Sequence, residues 1–453
     1  MEQTSGADRV PTVLCIGGHD SGGGAGISAD QKTFSALGVH GAAVITAVTA
    51  QNTIGVRQVF GLPPEQVIAQ LDAVLDDFNV SWAKAGMLYS AENVSALACR
   101  LRSHELSLVI DPVKEAEAGG LLLCGSALTA LKDELVPRAA LITPNIFEAE
   151  MLTGLSVRNL DEAKRAGLAL LEMGAKAAVI TGGHLDGDVL VDLLVCEDGV
   201  QRICGPRMRG GNHGVGCTYS AALTVYLSLG HPILEAARKA QSFAAASVRY
   251  SRHAGRGVAP VDQCGDLRSN SERFSVLDNL NRAIDMLLDE PSFGLLIPEV
   301  GCNIGMAISG AAGADDVAAV QGRLVLAGSR IRQAGCPRFG ASRHVARVIL
   351  AALKHDARIR AAVNLRWSER TLEDAARLGL SMSCFDRRDE PPGAKSMSWG
   401  TDRAIRLAGG MPDIIWDLGG PGKEPMIRLL GEDAVAVAAT ALRLARAKAD
   451  RKI

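Results

Sequence analysis

Glycines crowd around a single carboxylate in Gly17-Gly18-His19-Asp20-Ser21-Gly22-Gly23-Gly24-Ala25-Gly26. The stretch lacks the Gly-Lys-Ser/Thr ending of a phosphate-cradling loop and the regular glycine spacing of a dinucleotide fingerprint. Its use is then close approach of bare backbone to a small substrate, with Asp20 aimed into the cleft. The alternative is a glycine-rich turn with no ligand. A second cluster, Gly210-Gly211-Asn212-His213-Gly214-Val215-Gly216-Cys217-Thr218, opens a helix. Consecutive backbone N–H groups at a helix start form an anion site, so Gly214 and Gly216 read as nucleotide-binding. Phosphoryl transfer needs such a site, because charge grows on the oxygens of the moving group. Cys217 falls in the first turn, where the helix dipole lowers a thiol pKa, and is a candidate base for an attacking hydroxyl. Its alternative reading is a small buried thiol with a structural part.

A third set lies where short apolar runs end. Asp111, Asn145 and Thr181 each follow such a run. Gln51-Asn52 can read the amide-like edge of a heterocycle through a paired donor and acceptor. Asn145 and Glu148 can hold Mg²⁺ or nucleotide phosphates, since Mg²⁺ takes carboxylate and water oxygens. Taken singly, each is equally at home in a loop or a helix cap.

In the back half, Arg338, Arg343 and Arg347 crowd a helix start that Ser342 caps, where the dipole is already positive. A bound phosphate or diphosphate resolves that crowding; solvation or salt bridges are the alternative. His344 and Arg347 are helix-surface neighbours. Leu418-Gly419-Gly420-Pro421-Gly422-Lys423-Glu424-Pro425 is a glycine loop whose Lys423 suits a phosphate, or a plain Gly-Pro turn. Glu299-Val300-Gly301-Cys302-Asn303 and Phe385-Asp386-Arg387 supply carboxylates and an amide to a polar ligand or Mg²⁺.

The elements that must position these residues alternate strand and helix. Thr12–Ile16, Ala43–Val48, Leu106–Ile110, Leu141–Thr143 and Ala177–Ile180 read as strands, with a loop at Gly17–Gly26. Helices follow to Leu37, over Pro64–Asp77, Gly216–Leu229 and Leu234–Tyr250. This order predicts an α/β fold with a mainly parallel sheet and helices on both faces, where ligands gather at the strands' carboxyl ends. A short polar stretch then interrupts the pattern. The expected organisation is 1–262, a linker over 263–275, and a separate α/β domain over 276–453.

At 453 residues, two or three domains is the expectation, and a formal net charge of −2 gives no reason to expect nucleic acid or an anionic membrane as partner. Met1–Arg9 is polar, with no apolar run of a signal peptide behind it. The ten cysteines form no Cys-x-x-Cys pair, which favours reduced thiols and a cytoplasmic location.

Residues 12–252 resemble the hydroxymethylpyrimidine phosphate kinases of the ribokinase-like superfamily. The resemblance runs through Gly18–Ile27, Lys32–Gly38, Thr46–Thr53, Lys84-Ala85-Gly86-Met87-Leu88, Asp111-Pro112-Val113, Thr143-Pro144-Asn145, Gly182-Gly183-His184 and Gly214-Val215-Gly216-Cys217-Thr218. It implies a ribokinase-like fold and ATP and Mg²⁺ as co-substrate and metal. Gln51 would read the pyrimidine, Met87 would pack on its ring, and Cys217 would activate the hydroxyl. The chain departs from the family at Asn212 and Val215, at Lys114 after Asp-Pro-Val, and at Ala118-Gly119-Gly120. Residues 276–445 resemble the archaeal-type thiamine-phosphate synthase domain. That resemblance implies condensation of hydroxymethylpyrimidine diphosphate with a thiazole phosphate, with Arg323 neutralising a phosphate and His344 donating a hydrogen bond or shuttling a proton. The partners so implied are small molecules, with a homodimer expected by analogy. Two other readings stand beside this one: a back domain that only senses thiamine phosphate, and a kinase for a related ring such as pyridoxal.

Overall fold

The computed structural model describes residues 10–113, 125–185, 187, 189–391, 393 and 396–450. The polar N-terminal stretch and the departures at Lys114 and 118–120 lie outside the described residues.

The chain divides into two compact units, Met1–Leu267 and Arg268–Ile453. The strands of the first are β1 (Thr12–Asp20), β2 (His40–Asn52), β3 (Gly55–Gly61), β4 (Val80–Ala85), β5 (Ser107–Ile110), β6 (Ala139–Ile142), β7 (Ala177–Ile180), β8 (Val189–Cys196) and β9 (Gly199–Pro206). Its helices are α1 (Gly26–Ala36), α2 (Pro64–Leu75), α3 (Ala91–Arg100), α4 (Gly125–Ala130), α5 (Ile146–Thr153), α6 (Leu160–Glu172), α7 (Val215–Ser228) and α8 (Ile233–Arg249). The sheet order is β3-β2-β1-β4-β5-β6-β7-β8-β9. β2, β1, β4, β5, β6 and β7 run parallel, while β3 pairs antiparallel with β2 on one edge, and on the other β8 pairs antiparallel with β7 and β9 with β8.

Both faces are covered, as the continuous apolar strands require. On β1, Leu14 and Ile16 join a core with α2 and α3, while Val13 and Cys15 join one with α1 and α7. β1 does not end at Ile16 as expected. It continues through Gly17-Gly18-His19-Asp20, pairing Asp20 with Thr49 on the long β2. Glycine in that extension lets Met87 lie close: a Cβ on Gly18 would lie 2.7 Å from the Met87 sulfur.

Helix α9 (Gly265–Asp289) takes up most of the stretch expected to be a linker. Its opening residues are polar and carry Asp266 in the first turn, which favours a helix start. The core stripe begins only at Val276 and continues through Leu280, Ala283, Ile284 and Leu287. A helix entered through a solvated turn reads from sequence as a loop.

The second unit holds β10 (Ile304–Ala307), β11 (Val317–Val320), β12 (Leu324–Ala327), β13 (Arg330–Gln333), β14 (Pro337–Phe339), β15 (Ala361–Arg366), β16 (Met382–Cys384), β17 (Ile414–Asp417) and β18 (Met426–Gly431). Its further helices are α10 (Arg343–Leu353), α11 (Glu369–Arg377), α12 (Ser396–Ala408) and α13 (Ala434–Asp450). The main sheet is ordered β14-β11-β10-β15-β18-β17-β16, and β12 and β13 form a separate ribbon. It too has a core on each face. Ile427 and Leu429 of β18 pack with α9, α11 and α13, and Leu430 packs with α10 and α12.

Candidate active sites

A cleft of about 360 Å³ opens at the carboxyl ends of the first sheet's parallel strands. The first unit's expected site residues all line it: Asp20, Gln51, Met87, Asp111, Asn145, Glu148, Thr181, Gly214, Gly216 and Cys217.

The two glycine clusters meet there. Asp20 does not offer its carboxylate freely to the cleft as the sequence suggested. Its oxygens accept from the N–H groups of Gly22 (2.7 Å), Gly24 (3.0 Å) and Ala25 (2.9 Å). One oxygen also lies 3.0 Å from His213 Nε2 in the second cluster. Burial works to raise the Asp20 pKa, but His213 and the loop amides outweigh it and hold the carboxyl below its ordinary value. At the start of α7, Gly214 has φ 88°, and a Cβ there would sit 1.9 Å from the Gly24 carbonyl oxygen. Glycine is therefore obligatory at 214. At Gly216 a Cβ would meet nothing within 4 Å, so the protein alone does not demand glycine there.

Beneath this double loop lies a charge cluster that the sequence reading missed. Lys84 Nζ is 3.0 and 3.1 Å from the Asp30 oxygens and 3.4 Å from Asp111. Ser220 Oγ donates to Asp111 at 2.9 Å. Burial alone would push the Lys84 pKa down; Asp30, the Cys217 sulfur and Asp111 outweigh it and keep the ammonium charged. Burial pushes the Asp30 carboxyl up to about 6 against the pull of Lys84. Cys217 departs from the expected depressed pKa. Burial pushes its thiol up to about 12, with Lys84 pulling the other way and Asp111 and Asp30 adding to the rise. Desolvation is the largest effect, and the pull of Lys84 does not offset it because Asp111 and Asp30 oppose it.

At the far side of the cleft, Asn145 and Glu148 form a capping box for α5. Asn145 Oδ1 accepts from Glu148 N and Glu148 Oε2 from Asn145 N, both at 2.9 Å. Thr181 N donates to the Pro144 carbonyl at 3.0 Å. Gln51 is buried, its Oε1 accepting from Thr49 Oγ1 at 3.2 Å. Among the described residues, no group of three or more His, Cys, Asp or Glu side chains could by itself hold a metal ion.

In the second unit the gathering point is His344 at the start of α10, capped by Ser342, whose Oγ accepts from Val345 N. Burial and then Arg428, Arg323, Arg387 and Arg347 push its pKa down to about 4. His344 as a whole is exposed, so the arginine field is the firmer cause. Only Arg347 of the expected cluster belongs to that group; Arg338 and Arg343 are exposed.

The loops around His344 are tied together. Arg323, at a strained φ of 102°, donates from Nη1 to the Val300 carbonyl. The Glu424 carboxylate accepts from Glu299 N (3.1 Å) and Val300 N (3.3 Å). Gly420 and Lys423 close a turn with two backbone hydrogen bonds, and Lys423 Nζ reaches Ser396 Oγ at 3.5 Å. Two expected ligands serve the scaffold instead. Asn303 is buried and bonds both backbone groups of Val320, and Asp386 pairs with Arg388 on the surface. The carboxylate that does enter the site is Asp417, 2.5 Å from Arg387 Nε.

The fold of the first unit is shared with known kinases. The phosphomethylpyrimidine kinase family matches residues 20–262, and the thiamine-phosphate synthase ThiN family matches residues 279–443. The hydroxymethylpyrimidine/phosphomethylpyrimidine kinase of Rhizobium meliloti is 46% identical over 254 residues, 55% of this chain and 95% of that one. Among solved structures, the ADP complex of Bacillus subtilis pyridoxal kinase has a TM-score of 0.54 at 32% identity, covering 57% of this chain and 99% of that one. These matches define the first unit as a ribokinase-like kinase. The bifunctional thiamine biosynthesis protein ThiDN of Methanocaldococcus jannaschii is 36% identical over 431 residues, 94% of this chain and 96% of that one. The chain belongs to this family of bifunctional thiamine biosynthesis enzymes, a phosphomethylpyrimidine kinase followed by a thiamine-phosphate synthase. Among the described residues no helix is long and apolar enough to cross a membrane.

Proposed function

We propose that the first unit moves the γ-phosphoryl group of ATP onto the hydroxymethyl oxygen of the aminopyrimidine and then onto its phosphate. The second unit then joins the resulting diphosphate to a thiazole phosphate, releasing diphosphate and forming thiamine phosphate. The observation that carries this reading is the start of α7, where Gly214, Gly216 and Cys217 line the cleft together with the buried Lys84. Fixed N–H dipoles and a fixed ammonium stabilise charge on a moving phosphoryl group without reorganising.

Gln51 and Met87 hold the ring on this reading, and Asn145 and Thr181 face the nucleotide. Asp20 acts as a strut between the two loops. In the free cleft Cys217 is a thiol, which suits a relay: its sulfur takes the hydroxyl proton while its own proton passes to a transferred phosphoryl oxygen. Loose phosphoryl transfer asks little more of a base. Mg²⁺ fits beside Asp111 and Glu148, which line the cleft, because it is commonly held by one or two carboxylates with substrate phosphates supplying the rest. Asp111 and Glu148 would hold it there, and it would supply positive charge against the nucleotide phosphates.

In the second unit, Arg323, Arg347 and Lys423 meet the phosphates. His344, neutral among arginines, donates to or accepts from the leaving group as its charge grows. The free cysteines among the described residues agree with a cytoplasmic enzyme, and a homodimer is the assembly we expect. The likeness to pyridoxal kinases gives one rival alcohol. ADP release with the hydroxymethylpyrimidine and with pyridoxal, compared side by side, tests the substrate. Faster turnover of pyridoxal would overturn the first half of this reading.

A further inference from the structure

β18 carries Met426-Ile427-Arg428-Leu429-Leu430 through the second sheet, between β15 and β17. A guanidinium in such a strand is costly to bury, and Arg428 is only 2% exposed. Its Nη2 lies 2.7 Å from Asp417 Oδ2 in an ion pair of poor hydrogen-bond alignment, and Nε and Nη1 find no hydrogen-bond partner among the described residues. Asp417, itself 0% exposed, gives its aligned contacts elsewhere. It accepts from Arg387 Nε at 2.5 Å and Nη2 at 3.3 Å, and from Gly419 N at 2.8 Å. One carboxylate therefore serves two guanidinium groups in a place with little water.

The surroundings fix this arrangement. The Phe385 ring centroid is 5.4 Å from the Arg428 guanidinium and 5.9 Å from that of Arg387. Trp399 packs edge-on against the same ring, and a Cβ on Gly400 would come within 2.4 Å of it. Glu424, the other nearby carboxylate, is occupied by the amides of Glu299 and Val300. Arg323, Arg347 and His344 stand in the same field, and Lys423 lies on the neighbouring glycine loop. Two guanidinium groups on one carboxylate leave a net positive charge among side chains with little water, which is costly unless a further anion balances it.

We propose that Arg428 is a positioning residue of the synthase site. From behind Asp417 it aims Arg387 at the site and leaves one positive charge in excess, which the diphosphate of the incoming pyrimidine balances. The identity of that anion rests on the synthase reading; the demand for an anion rests on the side chains alone. Arg428 acts through Arg387 and His344, and its charge is already in place when negative charge grows on the departing oxygen.

The test uses the full chain with inorganic diphosphate as probe, and compares Arg428→Met and Arg428→Lys with the unaltered protein by calorimetry. In Arg428→Met we expect diphosphate affinity to fall at least about tenfold and KM for the pyrimidine diphosphate to rise alike, with KM for the thiazole phosphate changing less. The NMR titration midpoint of His344 should rise in Arg428→Met and stay low in Arg428→Lys, which a packing role would not produce. Unchanged diphosphate affinity with an unmoved His344 midpoint overturns the proposal. If Arg428→Met does not fold, Arg428→Lys decides alone: several-fold weaker diphosphate binding at an unchanged Tm upholds it, and unaltered affinity overturns it. A chain that binds diphosphate through Arg428 yet makes no thiamine phosphate contradicts the synthase reading and leaves this proposal standing.

Discussion

Lys84 and Asp30 face each other across 3.0 Å with 1% of either side chain exposed, directly beneath the loop that starts α7. A buried pair of this kind adds little net stability when intact, but breaking it strands a charge. Lys84→Met leaves Asp30 without its cation. We expect unfolding stability of the first unit to drop by about 3–5 kcal/mol and kinase turnover to be lost. Chemical denaturation with ADP release as second readout checks this; a Lys84→Met enzyme of ordinary stability and turnover would refute the electrostatic role.

The Cys217 thiol, pushed up to about 12, should resist alkylation. At pH 7 about one molecule in 10⁵ carries the thiolate, so iodoacetamide should label exposed Cys99 and Cys384 well before Cys217. Cys217→Ala should lower kcat of the kinase by about 10²–10⁴ with the fold intact. Peptide-resolved labelling and steady-state kinetics provide the check.

Gly214→Ala puts a Cβ 1.9 Å from the Gly24 carbonyl at a φ of 88°. Strain alone costs about 1–2 kcal/mol, and the clash pushes the two glycine loops apart. A lower Tm together with a raised KM for ATP is the expected result. Gly216→Ala meets no protein atom, so it should raise KM for ATP while leaving Tm nearly unchanged.

His344 has a folded-state pKa near 4, below its ordinary 6.5. The folded unit thus binds fewer protons than the unfolded chain between those values, and its stability should fall as pH drops from 6.5 towards 4. Diphosphate binding offsets the arginine charges, so the imidazole midpoint should move upward on titration with inorganic diphosphate. A two-dimensional NMR titration with and without the anion reads both.

Much of this was legible in the sequence. Apolar runs ending in Asp111, Asn145 and Thr181 gave the parallel strands and the cleft, because strand periodicity and chain order are local properties. The glycine-rich stretches marked both loops. Lys84 and Arg428 were not legible as site residues. Each is a lone cation in an apolar strand whose partner sits on another element: Asp30 is 54 positions from Lys84 in the chain, and Asp417 is on the strand beside Arg428. The usable signal was the misfit itself, since a central strand does not bury a charge without a reason. Asp20, Asn145 and Asn303 carry local bonds that the sequence did not show. Their side chains looked free for ligands, yet local backbone donors and acceptors claim them, as they commonly do for short polar residues.

The most direct test of the central claim is a single-pot reaction of the intact chain with the hydroxymethylpyrimidine, ATP, Mg²⁺ and thiazole phosphate. Thiamine phosphate should appear with two ADP released per product, and Arg323→Ala or His344→Ala should stop the reaction at the pyrimidine diphosphate. Accumulated pyrimidine diphosphate with the unaltered chain would reduce the second unit to a binding domain, and no ADP at all would contradict the account at its first step.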